Sequence, residues 1–117
     1  MMLNGGRLDG VQILAPKTVN LMRFNHLPDA IDKMEIAEGN PILGCGFGLG
    51  FCVIQDVAKN GTPGSTGNYY WGGAASTGFW IDPVEDMYAI LMTQFMPSGH
   101  YPLSADFKTL VYQALVD

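Results

Sequence analysis

Hydrophobic positions follow a period of two in the middle of the chain and helical spacing towards its ends. From Cys45 onward the apolar residues alternate, which predicts one strand over residues 45–54. Three glycines, Gly46, Gly48 and Gly50, lie on the opposite face of this predicted strand, where they would let a helix pack closely against the sheet.

Two further strands are predicted over residues 69–82 and 87–94. Pro83 lies between them at the second position of a turn rich in acidic residues, as in type I turns. Residues 87–93 are apolar on both faces, so this strand is predicted to be central and covered. Residues 57–68 are predicted to form a loop.

Helical patterns flank these strands. Gly5-Gly6 is predicted to close a helical segment over residues 1–6, Asp9-Gly10 to form a turn, and Pro16 to begin a helix over about residues 16–24. Ser104 is predicted to cap a C-terminal helix with an apolar stripe at Phe107, Leu110, Val111, Ala114 and Leu115. Residues 25–40 carry the weakest pattern, with one helical turn expected around Ile31 and Met34. The predicted fold is α+β, a three-stranded antiparallel sheet with an N-terminal helical segment and a C-terminal helix.

Composition narrows the function. The 117 residues suffice for one domain. Charged residues make up only 15% and apolar residues 48%, which predicts that part of the surface is covered by missing chain or by another subunit. The net charge of −5 without a basic run argues against nucleic acid as a partner. No apolar run reaches the ~18 residues of a membrane span, and no secretory signal is present at the N-terminus. We therefore expect a cytoplasmic protein.

The two cysteines fit this expectation. On a single strand Cys45 and Cys52 would lie ~23 Å apart, at ~3.3 Å per residue, and on opposite faces. A disulfide needs Cα atoms within ~7 Å, so free thiols are predicted.

Motifs for self-sufficient chemistry are missing. The glycine run at residues 44–50 lacks the G-x-G-x-x-G spacing, and no P-loop occurs. His26 and His100 have no partners at metal-ligand spacing, so neither a metal nor a cofactor is predicted. No serine is followed by lysine at i+3, as a Ser-Lys nucleophile requires, and no Tyr-x-Asn or Ser-x-Asn triplet occurs. No catalytic residue is therefore predicted.

Trp71-Gly72-Gly73 is the most informative motif, because two glycines on a strand allow a ligand or another backbone to approach closely. Taken alone, it favours a structural edge strand. In the order of the chain, however, it stands within a set of motifs that together resemble the C-terminal part of serine β-lactamase-related hydrolases. The resemblance is strongest to their carboxylesterase branch, covers nearly the whole chain, and is poorest over residues 26–45. The motifs are Leu3-Asn4-Gly5-Gly6-Arg7-Leu8-Asp9-Gly10-Val11-Gln12-Ile13-Leu14-Ala15-Pro16-Lys17-Thr18-Val19, Gly46-Phe47-Gly48-Leu49-Gly50-Phe51, Trp71-Gly72-Gly73-Ala74-Ala75, Phe79-Trp80-Ile81-Asp82-Pro83 and Met92-Thr93-Gln94.

This resemblance implies a single truncated domain over residues 1–117, the C-terminal half of a β-lactamase/transpeptidase-like fold. It implies that Trp71, Gly72, Gly73 and Ala74 bind substrate, with the Ala74 N–H as one oxyanion donor. Tryptophan in place of the cationic residue of β-lactamases favours ester substrates. The family's Ser-x-x-Lys and tyrosine motifs lie upstream and are absent from this sequence, so we expect the chain to be inactive alone.

Three interpretations stay open: an inactive piece of a hydrolase, a stand-alone self-associating or ligand-binding protein, and an enzyme reassembled with a chain that supplies serine and lysine. An unpaired sheet edge or apolar face would favour a homo-oligomer. The expected ligand is a small ester or acyl compound.

Overall fold

The computed structural model of the chain describes residues 1–29, 31, 34–37 and 39–116. Within these residues the fold is α+β, as predicted, with a five-stranded antiparallel sheet and two short hairpins. The elements in chain order are β1 (Arg7–Leu8), β2 (Val11–Gln12), α1 (Pro16–Met22), β3 (Met34–Ala37), β4 (Asn40–Ile42), β5 (Cys45–Phe47), β6 (Cys52–Ile54), α2 (Val57–Asn60), β7 (Tyr69–Gly72), β8 (Gly78–Asp82), β9 (Met87–Leu91) and α3 (Leu103–Gln113).

The sheet has five strands because two of the three predicted strands fold back on themselves. Residues 45–54 form the β5–β6 hairpin, in which Gly48 N–H donates to the Phe51 carbonyl (2.7 Å) and Gly50 has a φ of 102°. Residues 69–82 form β7 and β8, joined by a turn at Gly73–Thr77. The prediction of three strands was wrong, because glycine and small residues extend an alternating pattern through a chain reversal.

Strand β9 lies at the edge of the sheet, whose order is β5-β6-β7-β8-β9. The prediction of a central, covered strand was therefore wrong for the described residues. Tyr88 is 65% exposed and Ile90 56% exposed, so one face of β9 is apolar and open to solvent. The opposite edge differs, because β5 is hydrogen-bonded on its outer side. There the His26 N–H donates to the Phe47 carbonyl (2.8 Å), and Asn25 Oδ1 accepts from the Phe47 N–H (3.1 Å).

Close approach explains two of the glycines in this region. A Cβ at Gly46 would overlap the side chain of Asn25, and a Cβ at Gly48 would overlap the carbonyl of Met22 at the end of α1. The predicted close packing of a helix against this face is thus found at the C-terminal end of α1. That helix begins at Pro16, as predicted, and ends at Met22, two residues early.

The N-terminal region contains turns and hairpins rather than helix. Residues 2–6 form a run of turns, because Gly5 and Gly6 both have positive φ. The predicted Asp9-Gly10 turn joins β1 and β2, with φ of 48° and 81° at its two residues, as a type I′ turn requires. Met34 begins strand β3 opposite Ile42, so a helical turn at Met34 was wrong. Residues 32 and 33 lie outside the described residues.

Helix α3 packs its aromatic residues on the sheet. Trp80 of β8 meets Phe107 edge-on (5.4 Å between ring centroids) and stacks on Tyr112 (6.2 Å). The helix begins at Leu103, and the Ser104 side chain makes no capping hydrogen bond, so the predicted cap was wrong. Between residues 57 and 68 the structure adds α2, which Asp56 caps by accepting from the Lys59 N–H (3.0 Å). Among the described residues no helix is long and apolar enough to cross a membrane.

Candidate functional site

The end of β7 brings the predicted site residues together at a tight turn. The Gly73 N–H donates to the Thr77 carbonyl (2.9 Å), and the Ser76 N–H donates to the Gly73 carbonyl (3.1 Å). A Cβ at Gly73 would overlap Thr77 Oγ1, so the second glycine of the motif is required by the turn itself. The motif therefore has a structural reason independent of any ligand.

Residues 93 and 95, which follow β9, make hydrogen bonds with this turn. The Phe95 N–H donates to the Ala75 carbonyl (3.1 Å), and Thr93 Oγ1 donates to the same carbonyl (2.5 Å). Ser76 is buried in a left-handed conformation (φ 61°), and its hydroxyl donates to the Phe95 carbonyl (2.8 Å). Sequence analysis did not identify Ser76 or Thr93 as positioning residues, because their partners are 19 and 18 residues away, respectively.

The four predicted substrate-binding residues line one groove of about 550 Å³. Tyr101 and Ser104, near the start of α3, also line this groove. Trp71 is fixed edge-on against Phe47, with ring centroids 5.1 Å apart. Ala74 is exposed, and within the described ranges its N–H has no hydrogen-bond acceptor. The arrangement thus presents a free amide donor beside an aromatic wall, which suits a negatively charged oxygen.

A second cavity of about 290 Å³ lies between the sheet and α3 and shares Trp71 and Gly72 with the groove. Its main polar group is Lys108, which is 9% exposed and donates to Thr62 Oγ1 (3.2 Å). The Lys108 ammonium also lies 5.7 Å from the ring centroid of Tyr70 and 5.9 Å from that of Tyr112. Burial lowers the pKa of Lys108, although the charge of Asp82 acts in the opposite direction.

Sequence analysis missed Lys108. The available signal was a lysine directly after Phe107, inside the apolar stripe of the C-terminal helix. Ser104 precedes Lys108 by four residues, but no hydrogen bond joins their side chains.

The buried carboxylate of Asp82 ties α3 and the loop before β7 to the sheet. Asp82 Oδ2 accepts from Tyr112 Oη (2.6 Å), the Ser65 N–H (3.1 Å) and Asn68 Nδ2 (3.3 Å), while Oδ1 accepts from the Val84 N–H (3.0 Å). Burial alone would raise the pKa of Asp82, but these hydrogen bonds outweigh burial and hold the pKa below its ordinary value. This carboxylate is a structural anchor that joins α3 and the loop before β7 to the end of β8.

Few hydroxyl groups of the described residues are hydrogen-bonded to a side chain that could act as a general base. Among the described residues no serine hydroxyl is hydrogen-bonded to a lysine or histidine. Thr62 does meet Lys108, but the Thr62 hydroxyl donates to Asn60 Oδ1 (2.6 Å), so its proton is directed at an amide oxygen instead of an amine. Nor do three or more His, Cys, Asp or Glu side chains cluster as metal ligands anywhere in residues 1–29, 31, 34–37 and 39–116.

Among curated proteins the chain is similar to part of a longer protein. No family model matches the chain. It is 38% identical over 101 residues to Protein Rv1367c of Mycobacterium tuberculosis (strain ATCC 25618 / H37Rv), an alignment covering 83% of this chain and 25% of that protein. The chain therefore spans about a quarter of the length of this curated relative.

Three solved structures superpose on nearly all of the chain. EstCE1, described as a hydrolase with promiscuous acyltransferase activity, gives a TM-score of 0.68 at 29% identity and covers 92% of this chain and 26% of its own. Simvastatin synthase (LovD) from Aspergillus terreus gives 0.73 at 22% identity, covering 99% and 32%. A penicillin-binding protein homolog from Caulobacter crescentus gives 0.72 at 15% identity, covering 97% and 29%. The last two likenesses establish the fold alone.

Proposed function

Because this chain is a partial domain of the serine β-lactamase-like fold, we propose that it provides one wall of an acyl-binding cleft and does not hydrolyse esters by itself. The wall is the strand end Trp71–Ala74, and the Ala74 N–H is its oxyanion donor. The observation that carries this proposal is the free, exposed Ala74 amide beside the groove of about 550 Å³.

The expected ligand is a neutral acyl ester or its tetrahedral mimic. Trp71 offers an aromatic surface instead of the positive charge that would pair with a carboxylate, so it favours uncharged acyl groups. The groove volume lies within the ~300–1,000 Å³ range of small-molecule sites. The acyltransferase activity described for EstCE1 agrees with acyl chemistry in that fold.

The proposed lack of turnover follows from the hydrogen bonds of the hydroxyl groups, because among the described residues no serine hydroxyl is hydrogen-bonded to a lysine or histidine. Ser76 is buried and donates to the Phe95 carbonyl, which removes it as a nucleophile. Thr62 donates to Asn60, so Lys108 is not placed to take its proton. An oxyanion donor and a binding surface without an activated nucleophile cannot form an acyl-enzyme.

Binding is tested with a butylphosphonate monoester, whose charged oxygens stand for the tetrahedral oxyanion. We expect its addition to shift the Ala74 amide resonance in a ¹⁵N-labelled chain, and Trp71→Ala to abolish the shift. Phe24→Ala is the matched control, because Phe24 is an exposed aromatic residue that does not line the groove. An unchanged Ala74 resonance in the wild-type chain would refute the binding site.

Turnover is tested separately with p-nitrophenyl butyrate. We expect the pure chain to hydrolyse it no faster than buffer. Hydrolysis above the blank that disappears in Thr62→Ala or Lys108→Met would overturn the proposed inactivity and would identify the pair responsible.

A second function, self-association, is favoured by the edge strand β9. Tyr88, Ile90 and Met92 are all more than half exposed, and residues 87–93 carry no charge. Native edge strands usually avoid pairing through charged residues, proline or covering chain. The free edge of β9 shows none of these devices in the part of the chain that the structure describes.

We propose that the occupant of this edge is a second copy, paired antiparallel about Ala89. In that register Tyr88 would stand opposite the partner's Ile90, an aromatic–β-branched pair of the kind that stabilises sheets. Asp86 would face the partner's Met92, so no like charges would meet, whereas a parallel arrangement would align Asp86 with its own copy. A strand pair alone buries less than the ~1,000 Å² of a stable interface, so we expect a reversible dimer.

The dimer is tested by light scattering after gel filtration over a wide concentration range. We expect the wild-type chain to dimerise and Ile90→Lys to remain monomeric. Leu110→Lys is the control, because it places the same charge at an exposed apolar position on α3, away from β9. A wild-type chain that is monomeric at every concentration, or a dimer that Ile90→Lys leaves intact, would refute this surface.

A further inference from the structure

The two cysteines lie on paired strands, contrary to the expectation of a single strand. In the β5–β6 hairpin Cys45 is opposite Ile54, and Phe47 is opposite Cys52. Directly opposed residues of a sheet project to the same face, as do residues two apart on one strand. Cys45 and Cys52 therefore share one face as diagonal neighbours, and a hydrogen bond joins their two thiols. Diagonal neighbours have Cα atoms ~7–8 Å apart, so closing a disulfide must draw the two strands slightly together, towards the ~7 Å limit.

The surroundings of the two sulfur atoms differ in a way that assigns each a separate role. Cys45 is half-buried, and its Sγ accepts from Asn60 Nδ2 (3.2 Å) and lies 3.6 Å from Tyr70 Oη. The hydrogen bond with Cys52, together with Tyr70 and the charge of Lys108, lowers the pKa of Cys45 to about 7 against the opposing effect of burial. Cys52 is fully buried, and its hydrogen bond with Cys45 and its burial raise its pKa.

We propose that Cys45 and Cys52 are a reversible disulfide site, in which Cys45 reacts first with a small-molecule disulfide and Cys52 then closes the bond. A reachable thiol with thiolate character beside a resolving cysteine is the arrangement typical of redox-sensitive sites. The inference does not depend on the proposed acyl-binding function.

The chemistry requires a disulfide of the glutathione class as oxidant. The Cys45 thiolate attacks one sulfur of the reagent, forms a mixed disulfide and releases one glutathione thiolate. Cys52 then loses its proton, attacks Cys45 Sγ and releases the second glutathione. Two protons and two electrons leave the protein, and one reagent disulfide is reduced to two thiols.

Closure would alter the contacts of Tyr70, the residue directly before Trp71. In the reduced chain Tyr70 Oη lies against Cys45 Sγ, and this sulfur also accepts from Asn60. The disulfide removes the thiolate that accepts these hydrogen bonds. The oxidation state of the β5–β6 hairpin would thereby reach the strand that ends in the Trp71–Ala74 groove.

The test uses the reduced native chain and glutathione disulfide at neutral pH, followed by iodoacetamide quenching and intact-mass spectrometry. We expect a product lighter by two hydrogen masses, with neither cysteine alkylated. Cys52→Ala should stop at a glutathione adduct on Cys45, and Cys45→Ala should remain fully reduced. Alkylation of Cys45 in the wild-type chain should rise with pH about a midpoint near 7.

Any of three results would refute the proposed disulfide site. They are a wild-type chain that retains two alkylatable thiols, one that accumulates a stable glutathione adduct without closing, and one that forms only intermolecular disulfides on a non-reducing gel. Peptide mapping of the oxidised wild-type chain decides among them even where a variant does not fold. Oxidation in denaturant, where both thiols are equally accessible, is the control for native geometry, and loss of the order Cys45-first in that sample is expected.

Discussion

Asp82→Asn is the sharpest test of how α3 is held against the sheet. Asp82 is completely buried, and its two oxygens accept from both side-chain and backbone donors, Tyr112 Oη at 2.6 Å being the shortest contact. Asparagine keeps one acceptor oxygen and turns the other into an NH₂ donor. In either orientation of the amide, that donor faces groups that themselves donate, on the Tyr112 side or at the Val84 N–H.

The size of the loss follows from these contacts. A hydrogen bond to a charged acceptor is worth about 1.5–3 kcal/mol, and an unsatisfied buried donor costs about 1–3 kcal/mol. Relief from burying a charge offsets part of this loss. We expect Asp82→Asn to lower the free energy of unfolding by about 2–4 kcal/mol, a large fraction of the ~5–15 kcal/mol of a typical domain.

Urea unfolding followed by tryptophan fluorescence measures this change, because Trp80 stacks on Tyr112, the strongest donor to Asp82. The denaturation midpoint should fall while the slope stays constant. Asp86→Asn is the matched control, since Asp86 is exposed at a positive φ of 49°, which asparagine tolerates, and it should change stability by less than about 0.5 kcal/mol. An Asp82→Asn chain within that margin of wild type would refute the anchoring role.

Three further outcomes are expected. Hydrogen bonding lowers the pKa of Asp82 in the folded chain. Its stabilising contribution is therefore complete above the unfolded-state pKa of about 4 and is lost as the pH falls through the folded-state pKa. Acid titration followed by circular dichroism should show a shallower loss of stability in Asp82→Asn than in wild type. Tyr112→Phe should cost about 1–3 kcal/mol in urea unfolding, and a Tyr112→Phe/Asp82→Asn double variant that loses the full sum would show that the two groups are not coupled. Gly73→Ala should cost about 1–3 kcal/mol, because its Cβ would overlap Thr77 Oγ1. In a Thr77→Ala background the same substitution should cost less, and an equal cost in both backgrounds would contradict the steric explanation.

Local patterns predicted those parts of the fold whose causes are local. The α+β class and the start of α1 at Pro16 follow from periodicity and from backbone preferences of single residues. The Asp9-Gly10 turn was predicted for the same reason, because both residues suit positive φ. The grouping of Trp71–Ala74 at one groove also follows from their adjacency in sequence. The predicted apolar stripe of α3 was only partly right, because Phe107 packs on the sheet whereas Leu110 and Leu115 are exposed.

The errors arose where distant contacts decide the structure. The reversal at Gly73–Thr77 depends on Ser76 and Ala75 contacting residues 93 and 95, which no local pattern reveals. The β5–β6 hairpin was predicted as a single strand, because glycine and phenylalanine continue the alternating pattern through its turn. For the same reason Cys45 and Cys52 were wrongly predicted to lie far apart on opposite faces of one strand. Lys108 lies against the aromatic rings of Tyr70 in β7 and Tyr112 in its own helix, which spacing alone cannot predict.

The hydrogen bonds that His26 and Asn25 make with Phe47 limit how far any sheet-to-sheet assembly could grow. Within the described five-stranded sheet, the β9 edge is open and Phe47 at the β5 edge is already hydrogen-bonded by its own chain. If two molecules paired through β9, both remaining edges of the joined sheet would be β5 edges. Growth of this sheet by β9 pairing would therefore stop at two molecules and would not continue into a filament.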